Sequence, residues 1–140
     1  MVKAKARWVE GLQFVGNPPS NHAITMDGSE KGGGANSAVH PGELVLLALA
    51  GCTGMDVISI LKKMRVEVAD FEVRIEAEAA EEHPKAWKNI KLSYFVAGKD
   101  IPEDKLKHAI ELSQDKYCSV SATLRSQVEI DYDFEIAEKT

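Results

Sequence analysis

Cysteine is scarce in this chain: its 140 residues hold two, Cys52 and Cys118, 66 positions apart. A secreted disulfide framework would carry more. Basic excess is also missing, since the formal net charge is -5. Nucleic acid and anionic membrane both reward a basic surface, so neither is expected as a partner. The first residues, Met1 to Glu10, lack the apolar core of a secretory signal, and a cytoplasmic protein is expected. The four histidines, His22, His40, His83 and His108, show no ligand spacing with each other or with the cysteines; no metal and no cofactor are expected. Gly32-Gly33-Gly34 follows Lys31 but lacks the Gly-Lys-Ser/Thr ending of a phosphate loop, and reads as flexible loop. No serine has a nucleophile elbow or triad partner. Long apolar runs are limited to one, Leu44 to Leu61. It contains Gly51, Gly54, Asp56 and Ser59 and is barely long enough to cross a bilayer. A helix apolar nearly all round is normally the centre of a core, and that reading is taken.

What is present suits a folded chain. Hydrophobic residues make up 44% and charged residues 28%, and the length suits one domain over residues 1–140. Val2, Ala4, Ala6 and Trp8 alternate with Lys3, Lys5 and Arg7, as in a half-buried strand. After Glu10-Gly11 a second strand is predicted around Leu12–Val15, and a third over His22–Met26 before the Asp27-Gly28 turn. Gly28 to Gly42 holds five of the ten glycines and reads as an irregular connection. Pro41 suits the first position of a helix running from about Gly42 to Arg65. Lys62, Lys63 and Arg65 crowd its last turn, where positive charge suits the helix dipole.

Phe71, Val73, Ile75 and Ala77 then alternate with charged residues, and Ile90, Leu92, Tyr94 and Val96 follow as an adjacent antiparallel strand. Asp100 and Glu103 stand at capping-box spacing before an amphipathic helix ending near Tyr117. A short helical turn over Ser119–Arg125 and a last strand from Val128 to Phe134 complete the chain. Three strands, a buried helix, two strands, a helix and a strand make an α+β fold, with helices on one face of antiparallel sheet. The central helix is more apolar than one small subunit can easily cover, so a homodimer is expected.

Chemistry can lie at either cysteine. Cys52 sits in Ala50-Gly51-Cys52-Thr53-Gly54, and two glycines inside a helix each cost about 1 kcal/mol. That cost suggests a close approach by another helix or a small substrate. The plain alternative is a small apolar core residue. Cys118 follows the amphipathic helix, where the free N–H groups of a new helical turn would favour a thiolate; a buried thiol is the plain alternative. Glu43 lies nine residues before Cys52 and does not share its helical face. It reads as a first-turn acid, with reach to the other subunit's thiol across a dimer axis. Asp56 shares a face with Cys52 at i+4, and either bonds to Ser, Thr or backbone or tunes the thiol.

Residues 40–57, His40-Pro41-Gly42-Glu43 through Ala50-Gly51-Cys52-Thr53-Gly54-Met55-Asp56-Val57, resemble the central helix of the OsmC/Ohr family. Tyr117-Cys118-Ser119-Val120-Ser121-Ala122-Thr123-Leu124 resembles that family's second cysteine motif. The resemblance implies an OsmC-like α+β fold: antiparallel sheets wrapped around two long central helices in an intertwined homodimer. It implies a thiol peroxidase for organic hydroperoxides or another small apolar substrate. Cys52 would be the peroxidatic thiolate and Cys118 the resolving thiol, with Glu43 as the accompanying acid and an external dithiol as reductant. A small-molecule binding protein with redox-sensitive cysteines is the alternative. The sequence departs from the family pattern in two places. Glu43 lies one residue closer to the cysteine than usual, and no arginine stands at the matching N-terminal position, Arg7 being the only one in that region.

Overall fold

A computed structural model describes all residues, 1–140. The chain divides into two compact units, Met1–Val45 and Leu46–Thr140. The first holds an antiparallel sheet in the order β1 (Lys5–Glu10), β2 (Gln13–Asn17), β3 (Ile24–Met26). The three predicted strands are all present, the first two displaced towards the C-terminus and the third shortened to Ile24–Met26. Only Gly16 and Asp27 are buried in this unit, and several large apolar side chains, Trp8 and Phe14 among them, lie exposed.

Asp27 organises the glycine-rich connection. Its Oδ1 accepts from the Gly28 N–H at 2.7 Å. Its Oδ2 accepts from the Ala35 N–H at 3.2 Å, the Ser37 N–H at 3.0 Å and the Ser37 hydroxyl at 2.6 Å. A side chain at Gly34 would run into the Gly28 backbone. This segment is irregular, as expected, but it is closed on itself by one carboxylate.

The long helix α1 spans Pro41–Lys63, with Pro41 as its first residue. Glu43 reaches back to accept from the His40 N–H at 3.0 Å, as the acid of a capping box does. The helix stops without glycine: Arg65 takes a left-handed φ of 60°, and the Val66 N–H returns to the Leu61 carbonyl at 2.9 Å, the closing bond of a Schellman motif. Leu49, Thr53, Val57 and Leu61 are fully buried, a stripe at i+4 spacing. The expectation of burial all round is corrected within this chain, because Leu47 is 58% and Met55 76% exposed. By length and composition α1 could cross a membrane, yet its buried stripe joins the core of the second unit.

In that unit the sheet order is β4 (Asp70–Ala79), β5 (Trp87–Gly98), β6 (Glu129–Glu138). β4 and β5 are antiparallel, but β5 and β6 are parallel. This corrects the all-antiparallel expectation. A crossover containing α2 (Glu103–Leu112), a π-helical turn (Ser113–Tyr117) and α3 (Ser119–Leu124) separates them, and a crossover of that length returns the chain in the same direction. Ile90, Leu92, Tyr94 and Val96 from β5 meet Leu49, Val57 and Leu61 of α1, with Leu106, Ala109 and Ile110 of α2, in one apolar cluster. The predicted capping box is not formed. Pro102 is the N-cap and no side chain caps it; Asp100 has a left-handed φ of 52° and directs its N–H to the Glu138 carboxylate at 3.3 Å.

Candidate active site

Cys52 and Cys118 come together, although 66 positions separate them. Their sulfurs and one Asp56 carboxylate oxygen all lie within 4.8 Å of one another. α1 supplies Cys52 on the turn between Leu49 and Thr53, and Asp56 one turn later. The π-turn supplies Cys118. It holds one more residue than an α turn, and the Cys118 N–H donates to the Ser113 carbonyl at 2.7 Å, five residues back. The Arg125 guanidinium donates to the Gln114 carbonyl at 2.6 Å, satisfying another carbonyl of that turn.

The two thiols have opposite settings. Cys118 is 1% exposed, while Cys52 is partly exposed. Burial pushes the Cys52 thiol up, but the Val120 N–H, the Cys118 thiol and the Ser119 hydroxyl together outweigh burial and the Asp56 charge, and Cys52 sits below the ordinary thiol value. Burial pushes Cys118 up to about 11, joined by its bond to Cys52 and the charges of Cys52 and Asp56, with the Ser121 N–H opposing. That N–H donates to the Cys118 sulfur at 3.3 Å. The sequence places the benefit of these N–H groups on Cys118; in the folded chain it is divided, the Ser121 N–H serving Cys118 and the Val120 N–H serving Cys52, and burial still holds Cys118 above the ordinary thiol value.

Behind the pair lies a polar network within an apolar core. Thr53 Oγ1 is 2.6 Å from the Tyr94 hydroxyl and 2.8 Å from the Ser113 hydroxyl. The Ser113 hydroxyl donates to Asp56 Oδ2 at 2.9 Å. Gln114 Nε2 donates to Thr53 at 3.0 Å and to Tyr94 at 3.2 Å, and Gln114 Oε1 accepts from the Ser121 hydroxyl at 2.9 Å. No buried side-chain nitrogen or oxygen lacks a partner. Asp56 thus does both things considered for it: it bonds to a serine and acts on the thiols. Sequence reading missed Thr53, Tyr94, Ser113 and Gln114. The available signal was Thr53, a hydroxyl in the middle of an otherwise apolar i+4 stripe.

Glu43 takes no part in this cluster within one chain. Its Oε1 lies 3.0 Å from His40 Nδ1, and nine residues of helix, about 13 Å of rise, separate it from Cys52. Cys52, Asp56 and Cys118 are also the residues that could hold a metal ion. The expectation of none was drawn from histidine spacing, and this cluster contains no histidine. The arrangement offers a partly exposed thiol held below its ordinary pKa, a buried thiol beside it and a carboxylate within 4.8 Å of both.

The OsmC-like protein family matches residues 33–133. Protein YhfA of Escherichia coli K12 is 40% identical over 135 residues, covering 96% of this chain and 98% of its own length. A hypothetical protein from Aquifex aeolicus VF5 has the same architecture, with a TM-score of 0.87, 28% identity and coverage of 100% of this chain and 98% of its own. An organic hydroperoxide resistance protein from Elizabethkingia anophelis shares the fold at 14% identity, with a TM-score of 0.74 and coverage of 98% and 96%. By sequence and by fold, this chain belongs to the OsmC-like family.

Proposed function

We propose that the chain is a thiol-dependent peroxidase that reduces organic hydroperoxides in the cytoplasm. The observation that carries this reading is the approach of the two sulfurs to within 4.8 Å, with Cys118 buried and Cys52 partly exposed. Cys52 is the sulfur that is both partly exposed and lowered in pKa, as an attacking thiolate needs to be. It attacks one peroxide oxygen; the O–O bond breaks, the alcohol leaves with a proton, and Cys52 becomes a sulfenic acid. The Cys118 sulfur then bonds to the Cys52 sulfur and water leaves. An external dithiol reduces the disulfide and is itself oxidised. The hydroperoxide resistance protein that shares the fold supports the substrate class.

The working unit in this reading is a homodimer. Leu47, Gly51, Met55 and Ile58 form an exposed apolar face on α1, and two copies of that face would cover each other and bring two long helices side by side. Glu43 is then the acid that a second subunit would carry towards the thiols. The alternative, a small-molecule binding protein without efficient turnover, is favoured by one feature: Asp56, the carboxylate acting on both thiols, is negative, whereas a cation would speed peroxide attack. Stopped-flow consumption of cumene hydroperoxide with dithiothreitol decides between them. Turnover that disappears in Cys52→Ser supports the peroxidase. Equal consumption by both proteins, or none by either, sinks it.

A further inference from the structure

Three donor atoms of the kinds that hold a borderline-soft metal ion converge within one compact unit. The Cys52 and Cys118 sulfurs and one Asp56 carboxylate oxygen lie within 4.8 Å of one another. A tetrahedral zinc ion, bonded at about 2.3 Å to sulfur and about 2.1 Å to oxygen, sets two sulfurs about 3.8 Å apart and each about 3.5 Å from the oxygen. The three atoms therefore close by about 1.3 Å at most to seat it, a movement within reach of side-chain rotation. Cys52 and Asp56 stand four residues apart on α1, the spacing by which a helix presents two ligands to one ion. Cys118, at the end of the π-turn, supplies the third. Each donor already has a neighbour that orients it. The Ser113 hydroxyl donates to Asp56 Oδ2 at 2.9 Å and leaves the carboxylate further lone pairs for an ion. The Ser121 N–H donates to the Cys118 sulfur at 3.3 Å, and the Val120 N–H to the Cys52 sulfur. Such outer contacts aim the ligands of a metal. Cys52 is partly exposed, and Asp56 lines an open pocket of ≈ 350 Å³ with Ser59, Lys63, Met64 and Tyr117, so an ion has a way in.

We propose that Cys52, Asp56 and Cys118 form a zinc site of the reduced protein. Two sulfurs and one carboxylate suit zinc or cadmium, whereas magnesium and calcium take oxygen ligands. Three protein ligands leave the fourth position of the tetrahedron to water. The ion replaces the two thiol protons, which pass to the buffer, and no atom changes oxidation state. A Cys52–Cys118 disulfide has no thiolate to offer, so metal and disulfide are alternative states of the same two sulfurs. Bound zinc engages the Cys52 sulfur and shields it from electrophiles and oxidants. The site stands apart from peroxide turnover: it needs the three donors together and both sulfurs reduced, and nothing from a hydroperoxide.

The test uses the full chain, reduced with a phosphine and freed of metal. Zinc chloride is titrated against a chromogenic zinc chelator, and cobalt chloride in a parallel cell reports the coordination geometry. The expected result is one ion per chain, with the strong visible bands of tetrahedral cobalt and a sulfur-to-metal charge-transfer band. Cys52→Ser and Cys118→Ser each weaken zinc binding at least a hundredfold, and Asp56→Asn at least tenfold. Wild type whose two thiols have been oxidised with diamide loses the site as the serine variants do. The proposal is overturned if reduced wild type takes no zinc from the chelator, or if cobalt gives the weak bands of octahedral coordination. Affinity within twofold of reduced wild type in any of the three variants, or in the oxidised protein, places the ion elsewhere and overturns it too. If a variant does not fold, wild type alone decides. Zinc then slows iodoacetamide labelling of Cys52 at least tenfold and EDTA restores it; labelling that zinc leaves unchanged overturns the proposal. Zinc binding by a protein that consumes no cumene hydroperoxide would sink the peroxidase reading and leave the metal site standing.

Discussion

The Cys52 and Cys118 sulfurs lie within 4.8 Å of each other, and a hydrogen bond from the Cys118 thiol adds to that of the Val120 N–H in holding Cys52 below the ordinary thiol value. It favours the thiolate at Cys52 and the thiol at Cys118. Removing the donor therefore weakens the nucleophile. In Cys118→Ala the pH midpoint for iodoacetamide alkylation of Cys52 moves up, and labelling at pH 7 slows. The sign follows from the titration: the reactive thiolate is present above its pKa and lost as pH falls through it. An unmoved midpoint would show that the bond does not tune Cys52.

Cys118 itself resists labelling in the folded protein. With its pKa near 11, about one thiol in ten thousand is ionised at pH 7. Mass spectrometry after timed alkylation should find Cys52 modified well before Cys118, and both modified together only in denaturant.

Thr53 holds three partners at once: Tyr94, Ser113 and Gln114. Thr53→Val keeps the volume and strands those groups, at a cost of about 1–3 kcal/mol. Thr53→Ser keeps the hydroxyl and loses one methyl, worth about 0.8 kcal/mol. Urea unfolding of the two variants checks the order, and a valine variant as stable as the serine one would contradict the network.

Met55 decides the assembly. In a lone chain it is 76% exposed, so Met55→Glu should change stability by no more than about 0.5 kcal/mol. If two α1 faces pack together, the same change places charge in that contact and splits the dimer. Light scattering of wild type and variant reads the outcome directly. Wild type of monomer mass would end the dimer proposal.

Asp27 gives a second pH dependence. Its bonds with Ser37 come first, followed by those with Gly28, and they hold its pKa down to about 2. The unfolded value is about 3.9, so its contribution is complete above that pH and fades as pH falls through about 2. Asp27→Asn should therefore be less stable than wild type at pH 7, with the gap closing between pH 4 and pH 2 in thermal melts.

Much of this fold is legible in the sequence, because alternation and helical spacing are local. Phe71 to Ala77 and Ile90 to Val96 declare their strands through period two, and Pro41 marks the first residue of α1. The parallel pairing of β5 with β6 is less local, since it depends on where the crossover returns the chain. Arg65 in a glycine-like conformation carries no compositional mark. At the site, the motifs around Cys52 and Cys118 point to the pair. The division of labour within it comes from unequal burial and from the Val120 N–H, which the fold turns towards Cys52 rather than its neighbour Cys118. The two glycines beside Cys52 suggest a close backbone approach. Within one chain a side chain at Gly51 would meet nothing within 4 Å, and one at Gly54 only ordinary contacts with Val73 and Phe71, so any demand at Gly51 comes from outside the chain.

The wide turn before Cys118 makes residue count a constraint in its own right. Between Ser113 and Cys118 the helix carries one residue beyond the α repeat, and each residue turns the chain by about 100°. Deleting any one residue before Cys118 there would restore a regular helix, move Cys118 into the seat of Tyr117 and swing the cysteine out of reach of its partner. Substitutions in this segment can be absorbed side chain by side chain; a change in its length cannot. Relatives that share the two-cysteine chemistry should therefore keep the interval intact even where its letters differ.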